Sequence, residues 1–496
     1  EEVNDCIAKY EERGVLSENI SIHPSNGGNK EEYGKTYLGV PIGTDEFIKI
    51  WLDKKLTKYK EELDYLKLVE NPQHKWLFLY YCFARKPSFV LRHILPTISV
   101  NFCNLFDKLL REAFVSIIKT EITDLQWKQI TIPIKHGGFG LPATQDVAKA
   151  AFTANALESK EYLLRRLPAE VIPIIDPQND NENISRFTHE FSVCLDDNKR
   201  IFLEDLVIAE GDEESPEDKW KNKFDKHLDE LTLQYFFTNV MTKQGKSQIK
   251  QELNHFLTEK KHGLFLSVAK SHTGDFLLAC PKTSATTFSQ TDFVMSIRMR
   301  LGCNLPNIPI RCTCQRRPYL DKLGVHLLHC PVGGSLIRRH NAIQNEVKAL
   351  ATSAGVQASS CNKDVVLLNL AGDTRRGDLL LPQCGNEGKD LIVDFTIANP
   401  ICESYLNATR NDPSSAIRRA TTTKNNKYME SAAANDITFM PMALECYGAL
   451  SDEFVEVIRI LCNKRANIVG SDPSAVTQYW YKRISCTLHK GNCKAI

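Results

Sequence analysis

Over residues 44–66, apolar side chains recur at three- and four-residue steps (Ile48, Leu52, Leu56, Tyr59, Leu63, Leu66) with lysines between them. That spacing predicts an amphipathic helix, and Thr44-Asp45-Glu46 supplies a cap and early acids for its start. A second helical block is predicted over about 73–119, interrupted at Pro87 and Pro96. Residues 133–142, with His136-Gly137-Gly138-Phe139-Gly140 inside, read as a Gly-rich turn before a small-residue helix over 144–157. Residues 176–182 and 210–218 are acidic and punctuated by Pro or Gly, so they read as solvated loops, and helical periodicity resumes over 219–258. Short β-rich runs then appear at 365–370, 379–381 and 391–397, followed by helices rich in Ala and Lys. That order predicts a separate α/β domain from about His340 onward, and no internal repeat is visible.

Composition narrows the class. The chain has 496 residues, 42% hydrophobic and 25% charged, which excludes disorder throughout and suggests roughly two to four domains. Lys+Arg 62 against Asp+Glu 61 leaves a net charge of +1, so any nucleic-acid surface must be local. One such stretch exists: residues 296–348 carry nine basic residues, among them Arg298, Arg300, Arg311, Arg316, Arg317, Arg338 and Arg339, against Asp321 and Glu346. Sixteen cysteines in so long a chain argue for reduced thiols and a metal site rather than a disulfide scaffold. Acids crowd the region after Glu1, unlike a signal peptide, and no run approaches the roughly 18 apolar residues of a membrane span. A soluble chain without a membrane partner is expected.

Cys312-Thr-Cys314 is followed by His326, His329, Cys330 and a Gly333-Gly334 turn. Tetrahedral zinc takes four Cys or His ligands, usually as two close pairs. Cys312 with Cys314 and His326 with Cys330, four apart on one helical face, meet that need, with His329 and Cys303 as competitors. Such a closed site leaves no open coordination position, so Zn²⁺ would serve folding and docking. Cys486, His489 and Cys493 form a weaker half-site without an evident fourth ligand.

Two acids stand beside apolar runs: Asp378 before Leu379-Leu380-Leu381, and Asp394 within Leu391-Ile-Val-Asp-Phe. A carboxylate flanked by Ile, Val and Phe is costly to bury unless paired or metal-bound. On neighbouring strands the two acids could chelate one Mg²⁺. Lys424 or Lys427, on a predicted helix, could position or deprotonate an attacking water or neutralise charge on a phosphate. The alternative is strand-end acids beside a solvated basic helix.

In this order, the motifs resemble the C-terminal half of a non-LTR retrotransposon reverse transcriptase of the restriction-like-endonuclease class. Tyr37-Leu38-Gly39-Val40-Pro41-Ile42-Gly43 resembles the junction between palm and thumb, and Gly137-Gly138-Phe139-Gly140-Leu141 the segment after the thumb. Residues 274–281 and Ile297-Arg298-Met-Arg300-Leu301-Gly302 resemble the lead-in to a zinc knuckle. The knuckle itself resembles Cys312, Cys314, His326, Cys330 and Arg339-His340-Asn341. Arg376-Gly377-Asp378 with Leu391-Ile-Val-Asp394 resembles a PD-(D/E)xK nuclease core.

The resemblance implies a multidomain fold. It comprises a palm end (1–43), a helical thumb (44–160), a helical linker (161–295), a zinc knuckle (296–339) and an α/β restriction-endonuclease-like domain (340–496). It implies zinc at Cys312, Cys314, His326 and Cys330, Mg²⁺ at Asp378 and Asp394, a lysine at Lys424 or Lys427, and DNA contacts from the basic stretch. Glu346 is a weaker candidate for orienting the site. Thr396 stands where the nuclease superfamily often carries its lysine, so the helix must supply one, and Gly377 is a mild departure. The implied activity is a Mg²⁺-dependent nick in target DNA that primes copying of the element RNA in the nucleus. No aromatic-x-Asp-Asp site precedes Leu38, and Cys194-Leu-Asp196-Asp197 reads as a turn, so fingers and palm are expected upstream and no polymerase activity here. The alternative is an inactive nucleic-acid scaffold, as in the large spliceosomal core protein, which resembles the same order of domains; an unrelated zinc-binding adaptor ranks last.

Overall fold

The computed structural model describes residues 33–166, 189–196, 215, 251–252, 255, 258–361 and 377–496. Two compact units interleave along the chain: residues 1–64, 87–109 and 144–238 form one, and residues 65–86, 110–143 and 239–496 the other. They cut across the linear regions expected from the sequence. Helices dominate, with a two-stranded and a four-stranded sheet among the described residues. No helix among those residues is long and apolar enough to cross a membrane. The strand expected at 365–370, the loops at 176–182 and most of 210–218, and nearly all of the helix at 219–258 lie outside the described residues.

In the first unit, Gly34–Tyr37 and Val40–Gly43 form an antiparallel hairpin. Leu38 and Gly39 both take positive φ (49° and 82°), the left-handed pair that a two-residue hairpin loop requires. The Thr44 hydroxyl then accepts the Phe47 N–H, starting the helix Asp45–Asp64. Its expected stripe is real: Leu52, Tyr59 and Leu63 are buried, and the Tyr59 ring meets Phe102 and Phe106 at 6.4 and 5.6 Å. The helix Thr144–Arg166 is held at its start by Asp107, which accepts the Thr144 N–H at 3.1 Å. Burial pushes the Asp107 carboxyl up to about 6.

The second unit begins around Trp76, fully buried against Phe114 and Phe139, with its indole N–H donating to the Leu277 carbonyl at 2.8 Å. Its C-terminal part is a sheet between helices. We label the strands β1 (Ser359–Ser360), β2 (Leu379–Leu381), β3 (Leu391–Ala398) and β4 (Thr438–Glu445), and the helices α1 (Ser335–Ser353), α2 (Leu406–Asn411), α3 (Ser415–Ala434), α4 (Asp452–Val469) and α5 (Pro473–Cys493). The strand order is β1-β2-β3-β4. β2 runs antiparallel to β3, with Leu379 opposite Val393. β3 runs parallel to β4, with Asp394 opposite Pro441.

Side chains alternate across β3. Leu391, Val393 and Phe395 join Leu350, Phe454, Leu461 and Ile484 in one core, while Ile392 joins Tyr428 and Phe439 on the other face. Asp394 shares the parity of Ile392, so strand geometry alone aims it at α3. Gly377 has a packing reason: a Cβ built there would run into Ile392.

The suspected tail half-site dissolves. Cys486 and His489 are buried on α5, and Cys493 directs its thiol to the Asp292 carbonyl. His489 stacks on Phe276 at 4.0 Å. Burial first, and Arg300 second, push its imidazole down to about 3. Below the ordinary value near 6.5 the unfolded chain takes up a proton that folded His489 refuses, so stability falls as the pH drops. Between pH 7 and pH 5 this side chain should cost about 2 kcal/mol. Urea midpoints at the two pH values should therefore diverge for the parent protein and converge partly for His489→Phe; an unchanged pH slope in that variant would refute the assignment.

Candidate functional site

Asp394 lies in β3, an interior strand of the four-stranded sheet, and is 4% exposed. Its Oδ2 is met by the Lys424 ammonium from α3 as an ion pair, and Tyr428, one helical turn further on, hydrogen-bonds the same carboxyl. Burial raises the Asp394 pKa, and nearby Asp378 raises it further; Lys424 and Tyr428 oppose both. Lys427 instead places its ammonium 2.8 Å from the Tyr428 hydroxyl. Of the two candidate lysines, Lys424 touches the acid.

Asp378 immediately precedes β2, and its N–H donates to the Val393 carbonyl at 2.9 Å, continuing the antiparallel pairing. Its Oδ2 accepts the Phe395 N–H at 2.7 Å and lies 3.1 Å from His340 Nε2. Asp378 is near enough to Asp394 for its charge to raise the Asp394 pKa. His340 was not expected at this site. His340 and Gln344 are four apart on α1, and Gln344 donates to the Asp378 carbonyl at 2.9 Å. The Asp378 hydrogen bond raises the His340 pKa. Glu346 faces elsewhere, paired with Arg483 at 2.8 Å, so it does not orient the acids. Asp196 ends a helical stretch, 189–196, rather than a turn, and Asp197 lies outside the described residues.

A groove of about 500 Å³ borders the acids, lined by His329, Ile337, His340, Phe395 and Thr396 among others. Its far wall is the Cys/His module. Cys312, Cys314, His326 and Cys330 bring their ligand atoms within 4.8 Å of one another. Cys312 Sγ and Cys330 Sγ are 3.6 Å apart, and Cys314 Sγ and His326 Nε2 are 3.5 Å apart. A tetrahedral zinc would require about 3.8 and 3.5 Å for such pairs, given bonds of about 2.3 Å to sulfur and 2.0 Å to nitrogen. These four can hold a metal such as zinc. The expected single helical face is instead a short 3₁₀ turn, Leu327–His329, from which Cys330 departs in extended backbone. His329 is not among the side chains whose ligand atoms converge, and its Nδ1 lies 3.1 Å from the Val325 carbonyl. Cys303 is buried elsewhere and accepts from Gln126.

The arginines divide. Arg300 is 1% exposed, with its guanidinium spent on the Gly138 and Ile134 carbonyls and the Thr273 hydroxyl. Arg339 is 3% exposed and donates to Asn492 and to the Leu328 carbonyl. Arg298 caps the end of the helix Pro96–Ile118 through the Ile118 and Lys119 carbonyls. In each of the three the guanidinium is spent on at least two acceptor oxygens of the chain itself, which arginine's several donors allow. Arg311, Arg316, Arg317 and Arg338 remain exposed.

No protein-family model matches the chain, and no curated protein matches it. Reconstitution tests the cluster directly. Purified protein should carry one thiolate-bound metal per chain, Co²⁺ substitution should give visible ligand-field bands, and Cys330→Ser should abolish both. Full stoichiometry in that variant would remove Cys330 from the ligand set.

Proposed function

We propose that the chain is the C-terminal part of a non-LTR retrotransposon reverse transcriptase and nicks target DNA, in the nucleus, to prime copying of the element RNA. The observation that supports this reading is that Lys424 pairs with Asp394 while Asp378, at the neighbouring strand's start, lies close enough to raise the Asp394 pKa. Two carboxylates, hard oxygen donors a strand apart, suit Mg²⁺, which binds through one or two carboxylates and keeps several waters. When bound, Mg²⁺ would supply charge neutralisation on the scissile phosphate. Asp378 and Asp394 would hold it. Asp378 is kept in place by the Phe395 N–H and His340. Lys424, whose stem is three-quarters buried and whose ammonium rests on Asp394, would orient water or neutralise the leaving oxyanion.

The Cys/His cluster would take Zn²⁺ as a closed structural site and present Arg311, Arg316, Arg317 and Arg338 to phosphates. Polymerase fingers and palm would lie upstream as partners. A second reading, a non-catalytic scaffold descended from a reverse transcriptase, draws on one observation. Lys424 and His340 already set donors against both acids, so the pair can persist without a metal.

Nicking separates the readings. With Mg²⁺ and supercoiled plasmid or cognate target, the protein should yield open circles. Asp394→Asn should abolish them, and Lys424→Ala should slow them by about a hundredfold or more. Equal nicking by Asp394→Asn, or none by the folded parent protein, would overturn the catalytic assignment.

A further inference from the structure

We propose that residues 310–320 form a stacking platform for unpaired nucleobases, with Tyr319 as the stacked ring. The proposal deepens the nucleic-acid reading above and rests on it. The segment is a narrow antiparallel ribbon: Arg311 bridges to Tyr319, Leu320 N–H donates to the Ile310 carbonyl at 2.9 Å, and Cys312 N–H donates to the Pro318 carbonyl at 3.0 Å. At the tip, Arg317 N–H returns to the Cys314 carbonyl at 2.9 Å. Two of the four clustered ligands, Cys312 and Cys314, therefore sit inside the ribbon, and a bound metal would stiffen it.

The ribbon displays two apolar side chains to solvent: Ile310 is 78% exposed and Tyr319 71% exposed. The Arg311 guanidinium lies 4.1 Å from the Tyr319 ring centroid and also meets its hydroxyl, covering one face and fixing the ring's orientation. The remaining exposure leaves the opposite face open. Arg316 and Arg317 stand exposed at the tip, and no acid occurs between residues 310 and 320. A fixed aromatic face beside three cations matches an unpaired strand, whose bases offer π-faces and whose backbone offers negative charge. A paired duplex buries those faces and offers only phosphates.

The test uses the full chain, a labelled oligo(dT) and a hairpin duplex at one fixed salt concentration, read by fluorescence anisotropy. Tyr319→Ala should weaken oligo(dT) binding about tenfold and leave duplex binding within about twofold, whereas Tyr319→Phe should keep both. Arg316→Gln with Arg317→Gln should weaken both ligands and flatten the salt dependence. A single strand carrying 2-aminopurine should be quenched by the parent protein and not by Tyr319→Ala, which reports stacking independently of affinity. Unchanged oligo(dT) affinity in Tyr319→Ala, an equal loss on duplex, or no quenching by the parent protein would each overturn the platform. Nicking that survives those results would leave the endonuclease reading standing, whereas failure to bind either form of nucleic acid would remove both.

Discussion

A buried carboxylate organises the C-terminal half of this protein. Asp394 occupies the middle of a strand that is otherwise apolar and covered on both faces, where an uncompensated charge costs several kcal/mol. Compensation comes from α3, and α3 can deliver it only if it lies close to the sheet. Its buried face combines the small residues Ala416, Ala420, Ser431 and Ala432 with Ile417 and Tyr428. Lys424 and Tyr428, four apart, then share one helical face and reach the same carboxyl. The β3–α3–β4 crossover, the register of α3 and the placement of the acid are one arrangement. None of the three can shift without stranding the charge.

The metal cluster is tied into the same arrangement rather than hung beside it. Asn399, the residue after β3, donates to the Val325 carbonyl at 2.9 Å inside the Cys/His segment. Arg339, on α1, reaches the Leu328 carbonyl in that segment with one arm and Asn492 on α5 with the other; Asn492 in turn donates to the Cys446 carbonyl just past β4. The Cys/His segment is thus joined by hydrogen bonds at its backbone carbonyls both to the residue that follows the strand of Asp394 and to α1.

How much of this was legible depends on the range of the interaction. Ile48 to Leu66 announced their helix because amphipathic periodicity is local, and Cys312, Cys314, His326 and Cys330 announced their cluster because ligand spacing is nearly local. Asp394 stood out as a charge in an apolar run, and the parity of β3 was enough to aim it at a helix. The arginines were different. Arg300 and Arg316 look alike in sequence; what separates them is a set of carbonyls at Ile134 and Gly138, more than 160 positions away, that no local pattern reveals. His340 was overlooked for the same reason, since its partner Asp378 is 38 residues distant. The interleaving of the two units is likewise long-range.

Sorting those arginines changes the electrostatic picture. Three of the seven candidates are consumed in holding the fold, so the basic stretch shrinks to Arg311, Arg316, Arg317 and Arg338. Charge confined in this way acts over roughly 8 Å at physiological salt, too short to dominate the surface. The groove beside the acids has His329 on one wall and His340, already in contact with Asp378, on another. Phe395 and Thr396 line it as well. The near-zero net charge of the chain says nothing of this local pattern, because a field depends on where the unspent cations stand and not on their sum.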